Sequence, residues 1–164
     1  MLEHLSNPEY LHVLLNPLPV YGLAAGVLGL IVALIARARA ARVTALTIVF
    51  VSAFCAWPAY HYGEAAYDRV LSMADTEGGK WLEEHQRRAE QWIYAFYAVA
   101  TVAALGLVSE RFVPRAAVPL AIATAVLATA TLGVGAYIAT AGGRIRHREF
   151  RYVPAPDESK GHEG

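Results

Sequence analysis

Apolar residues fall into four long runs, separated by short islands of charge. The runs cover residues 18–36, 43–60, 93–108 and 116–141, and none contains Asp, Glu, Lys or Arg. A hydrocarbon core about 30 Å thick needs a helix of about 20 apolar residues, so each run predicts a membrane span, the shorter third one extended by its flanks. Backbone polar groups cannot be left unpaired in lipid, which makes each span an α-helix. The fold class expected is therefore all-α: a four-helix transmembrane bundle in one domain, residues 1–153. Before the first run, Ser6-Asn7-Pro8-Glu9 reads as a helix start, with proline in the first turn and an acid near the positive end of the dipole. The short helix that follows, Tyr10 to Leu15, is expected to lie along the membrane surface, cut off from the first span by Pro17 and Pro19.

The stretch between spans two and three holds half of the acids. Trp57 and Tyr60 close the second span as interfacial anchors, and Pro58 should kink it. Residues 63–74 carry a loose apolar face at helical spacing and predict a separate helical extramembrane loop, with a turn over 75–79. From Lys80 a helix should run unbroken to Glu110, its charged first third projecting from the bilayer. Gly142 and Gly143 should end the fourth span. Beyond them Arg144, Arg146 and Arg148 alternate with other residues, as in an extended segment that clasps anionic lipid or a partner, or pairs with Glu77, Glu83 and Glu84. The tail over 154–164 has the composition of a disordered segment.

Small residues recur within the spans. Gly22, Gly26 and Gly29 in the first, and Gly133 and Gly135 in the fourth, predict faces where helix backbones approach closely. The spacing of the spans suggests no internal repeat. No Lys or Arg precedes the first span and Arg37, Arg39 and Arg42 follow it, so the positive-inside rule puts that connector in the cytoplasm. The expected location is a bacterial inner membrane, multi-pass, with both termini periplasmic. No secretory signal is seen at the N-terminus.

Composition agrees with a membrane protein: of 164 residues, 56% are hydrophobic and 17% charged, against about 25% charged in a soluble domain. A formal net charge of zero gives no case for nucleic-acid binding. The single cysteine, Cys55, excludes an intrachain disulfide and a thiolate zinc motif.

An even number of crossings gathers His12, His61, His85 and His147 at one rim of the bundle. Imidazole is the side chain best suited to ligate haem iron, so His61, His85 and His147, with His12 as a spare, are the candidate ligands of a b-type haem. Glu64 and Glu84 lie beside His61 and His85 and are candidate metal carboxylates. No haem-attachment, zinc-protease, phosphate-loop or nucleophile-elbow motif occurs, which argues against an enzyme acting by itself. The alternatives are a cofactor-free structural or assembly protein packed against partner helices, and, more weakly, a metal-dependent enzyme.

Several landmarks together resemble a group of bacterial four-span membrane proteins of unknown function, some fused to or encoded beside Rieske-type redox proteins. The matching pieces are His12-Val-Leu-Leu-Asn-Pro-Leu-Pro19 with Gly22, Pro58 with Gly63-Glu64-Ala65-Ala66, Glu84-His85 with Ala89, and Gly142-Gly143-Arg-Ile-Arg-His147. Members of the group often carry Asn-His where this chain has Asn16-Pro17. The resemblance implies a redox neighbourhood: an integral subunit or anchor of an electron-transfer system, with other membrane or periplasmic redox subunits and the lipid bilayer as partners.

Overall fold

A computed structural model of the chain describes residues 6–156, and every regular element among them is helical. In chain order the helices are α1 (Pro8–Leu15), α2 (Leu23–Ile35), α3 (Arg39–Phe54), α4 (Ala56–Met73), α5 (Thr76–Phe112) and α6 (Pro114–Arg146). They form four rods, 8–35, 39–73, 76–112 and 114–146, each long and apolar enough to cross a membrane. The rods stand in a ring, each packed mainly on its two neighbours. Leu23, Leu30, Leu46, Val49 and Val99 fill the centre with no exposed surface. This is the multi-pass helical bundle that the apolar runs predict.

Prolines shape two of the rods. Pro17 and Pro19 lack the amide protons an α-helix needs, and the chain passes them through a π-helical turn, Leu18–Gly22. The turn keeps α1 and α2 in one continuous rod, and α1 packs along α4. The expected break after Leu15 into a separate surface helix is thus not made. In the second rod α3 stops at Phe54, four residues before Pro58, because the proline ring occupies the place of the donor to the Phe54 carbonyl. Cys55 bridges the break and α4 resumes at once.

Two boundaries differ from expectation. Gly63 does not begin a separate loop helix: α4 runs through it to Met73, two residues join it to α5, and the connection between spans two and three is an extension of both helices. Gly142 and Gly143 do not end α6, which continues to Arg146; a single 3₁₀ turn, Arg148–Phe150, follows in place of an extended strip. In both cases the glycine is used for close packing within a helix.

Asp75 fastens this end. Its Oδ1 accepts the Gly78 amide at 2.7 Å and caps α5. Its carboxylate also takes Arg151 at 3.0 Å and Arg148 at 2.9 Å. The same Arg151 guanidinium donates to the Arg144 and Ile145 carbonyls, at 2.7 and 2.8 Å, two acceptors left open at the end of α6. Of the strip, Arg148 thus pairs with Asp75, beside Arg151, while Glu84 is taken by Arg87 and Arg88; Glu77 accepts the Ala155 amide, and Ala155 is buried. Residues 157–164 of the tail expected to be disordered lie outside the described residues. The Arg151 guanidinium, with the Gly78 amide, pulls the Asp75 carboxyl down to about 2. A carboxyl so depressed stabilises the fold above its unfolded value near 4 and loses that contribution as pH falls from about 4 to about 2. Thermal unfolding of the detergent-solubilised protein should show this acid limb, and Asp75→Asn should flatten it.

The opposite end carries a second charged cluster. Glu110, buried, receives Arg42 Nη2 at 3.1 Å and a second contact from Arg42 Nε, while Arg39 donates to its backbone carbonyl at 2.7 Å. Between the ends, α2 lies close on α3 because Gly22, Gly26 and Gly29 face Ser52, Val49 and Ala45. Gly135 faces Val20 and Phe96; Gly133 faces open space.

Candidate functional site

Two of the four candidate histidines come together where α1, α4, α5 and α6 meet. The His12 and His85 ring centroids are 6.5 Å apart, with planes at 81°. Each ring is held the same way. His12 Nδ1 donates to the Ala59 carbonyl of α4 at 2.7 Å, and His85 Nδ1 donates to the Ile138 carbonyl of α6 at 3.0 Å. A carbonyl only accepts, so the proton of each neutral ring sits on Nδ1 and the lone pair on Nε2, away from the carbonyl. That is the tautomer a metal-ligating histidine adopts when its other nitrogen is held by the protein.

A glycine seats each ring, four residues beyond the accepting carbonyl. A Cβ on Gly63 would stand 2.9 Å from His12 Nδ1, and one on Gly142 would stand 3.1 Å from His85 Nδ1. A Cβ at Gly63 would force the His12 ring to shift, and one at Gly142 would crowd the His85 ring, so glycine at both positions lets the imidazoles lie this near the neighbouring helix. The arrangement His, carbonyl, glycine thus occurs twice: α1 against α4 and α5 against α6. Tyr21 and Tyr94 each follow their histidine by nine residues, and are 75% and 72% exposed. The two helical hairpins thus share this one arrangement. A larger side chain at either seat should displace one ring only: Gly63→Val and Gly142→Val are expected to preserve helix content by circular dichroism while weakening any ligand bound between the histidines.

Arg88 fixes the register of α5 beside His85. Buried, it pairs with Glu84 at 2.7 Å, donates to the Tyr137 carbonyl at 2.7 Å, and lies 3.9 Å from the centroid of the Tyr137 ring. Two successive carbonyls of α6, those of Tyr137 and Ile138, are therefore gripped from α5.

A cavity with two lobes opens around the pair. Both lobes are lined by His12, His85, Asn16, Tyr60, Ala89 and Ala139, so they meet at the histidines. The lobe toward the bundle centre, about 260 Å³, is walled by apolar residues including Pro19, Val20, Ile93 and Phe96. The other, about 440 Å³, opens toward the helix ends and has Glu9, Glu64, Gln86 and Arg146 on its rim. Glu9 is paired with Arg69, and Glu64 accepts the Tyr60 hydroxyl at 2.9 Å.

The other candidates lie elsewhere. His61 is exposed and stacks on Trp57, with centroids 6.2 Å apart. His147 is exposed, pairs with Glu149 at 2.9 Å and stacks on Phe150. Glu84 is bound by Arg87 and Arg88. Among the described residues no three His, Cys, Asp or Glu side chains gather as they would around a fully protein-ligated ion. Arg144 lies over the Trp81 ring, and Arg148 is taken by Asp75.

The described chain thus defines a four-helix, multi-pass membrane protein with a paired-histidine cavity at one end. Compared with known proteins, it matches no family model, no curated protein and no solved structure.

Proposed function

We propose that the chain is an integral subunit of a membrane electron-transfer system that holds one b-type haem between His12 and His85. The observation that carries this reading is the pair itself: two imidazoles, each with Nδ1 committed to a helical carbonyl, face a shared cavity at 6.5 Å. With about 2 Å for each metal–nitrogen bond and roughly 1 Å from each centroid to Nε2, two imidazoles sharing one metal stand about 6 Å apart, close to this separation. The cavity favours haem over a bare ion. A lone ion would need about four ligands and no void, whereas here two ligands adjoin two lobes, in keeping with the ~300–1,000 Å³ of cofactor sites. The lobes also differ in kind: one apolar and one with a charged rim, as suits a macrocycle with its carboxylates on one edge.

Haem held there would supply one-electron redox chemistry. His12 and His85 would hold the iron, the Ala59 and Ile138 carbonyls keep their rings oriented, and Gly63 and Gly142 leave them room. The apolar lobe excludes water. The positive-inside bias supports a site on the periplasmic side of a bacterial inner membrane, where a soluble redox domain could reach it. The resemblance to four-span proteins near Rieske-type partners supports the same reading.

A cofactor-free packing subunit is the second reading, favoured by the open face of Gly133 on α6. An optical spectrum separates the two. Protein expressed with ample haem supply should purify red, with one haem per chain and a Soret band that shifts on reduction; a colourless, iron-free preparation speaks for the second.

A further inference from the structure

We infer that Arg146 is an anion-binding residue of the cavity and takes a carboxylate of the ligand held between His12 and His85. The inference rests on the haem reading and adds the orientation of the ligand: its propionate edge faces the open end of the larger lobe.

The four arginines that follow the fourth apolar run differ in what they touch. Arg148 and Arg151 are bound to Asp75. Arg144 lies 4.5 Å over the Trp81 ring and donates to the Phe150 carbonyl at 3.1 Å. Among the described residues Arg146, which is exposed, makes no ion pair; its guanidinium contacts Met73 Sδ, 3.9 Å from Nη2. Yet Arg146 is the arginine on the rim of the larger lobe. The acids on that rim are otherwise engaged, Glu9 with Arg69 and Glu64 with Tyr60. A planar guanidinium with five donors and no acceptor matches a carboxylate better than a lysine would. Helix α6 also places it: Arg146 stands one turn beyond Gly142, the seat of His85, so the residue that fixes the ring and the residue that would fix the carboxylate belong to one rigid element.

The test compares hemin with hemin dimethyl ester, which has the same iron and macrocycle but no carboxylates. Both are titrated by Soret absorbance into apoprotein in detergent, for the wild type, Arg146→Gln and Arg146→Lys. The wild type should prefer hemin to its diester by about tenfold or more, the worth of one charge-assisted bond. Arg146→Gln should weaken hemin by that factor, leave the diester unchanged, and so erase the preference; Arg146→Lys should retain part of it. A merely structural role would weaken both ligands alike. If Arg146→Gln keeps the preference, or the wild type has none while giving a low-spin spectrum with both, Arg146 is not the anion partner and the haem reading stands. If the wild type gives a low-spin spectrum with neither, the haem reading falls and takes this inference with it.

Discussion

Replacing His12 or His85 with alanine should each abolish the low-spin spectrum expected of the reconstituted protein. Either change removes one of two ligands, so the loss in haem affinity should exceed the roughly 10–100-fold that follows from removing a ligand's hydrogen-bond partner alone. His61→Ala and His147→Ala serve as controls. Both side chains are exposed and stacked on aromatic neighbours away from the cavity, and their replacement should leave the spectrum unchanged. Added imidazole should restore the low-spin band in His12→Gly and His85→Gly, since the cavity left by the ring accepts the free base. Rescue in the glycine variants would locate the defect at the missing nitrogen rather than in the fold. Loss of the band in His61→Ala, with retention in His85→Ala, would show that His61 and not His85 is a ligand.

The second large effect concerns stability at the other end of the bundle. Glu110 neutralised to Gln leaves Arg42, whose side chain is 10% exposed, without its counter-charge. Breaking a buried pair by removing one partner costs about 3–5 kcal/mol. For a chain of this size that corresponds to a fall in Tm of roughly 6–20 °C. Replacing Arg39, which is 65% exposed on its side chain, should cost much less, because water replaces the guanidinium contact. The ion cluster sits at the connectors joining the rods within each hairpin, at the end remote from the histidines. Glu110→Gln should therefore lower Tm without moving the Soret band. A variant in which both change together would mean that the two ends are coupled through the rods.

The four spans were legible because lipid imposes a length and forbids charge, and the chain obeys both. Pro58 was legible for a similar reason: a missing amide and a steric clash act locally, and α3 stops where they require. Gly63, Gly142 and Gly143 misled because a glycine in isolation reads as a helix boundary. Gly63 and Gly142 instead face imidazoles on other helices, a relation between residues 12 and 63 and between 85 and 142 that no local pattern carries. The candidate histidines illustrate the same limit. Topology brings all four to one end, but which two meet depends on how each helix is rotated, and rotation is set by packing across the ring. One signal was present and easily missed. Ala59 and Gly63 stand four apart, as do Ile138 and Gly142, and Tyr21 follows His12 at the distance at which Tyr94 follows His85. These offsets mark the shared arrangement, though the lengths of the two hairpins and most of their residues differ.

Electron paramagnetic resonance of the oxidised, haem-loaded protein tests the central claim most directly. Imidazole planes at 81° predict a strongly anisotropic low-spin ferric signal, dominated by a single low-field feature rather than the three-line pattern of parallel planes. That signal, lost in both His12→Ala and His85→Ala, is the predicted result. A high-spin ferric signal in the wild type, with one axial position unfilled, would contradict it.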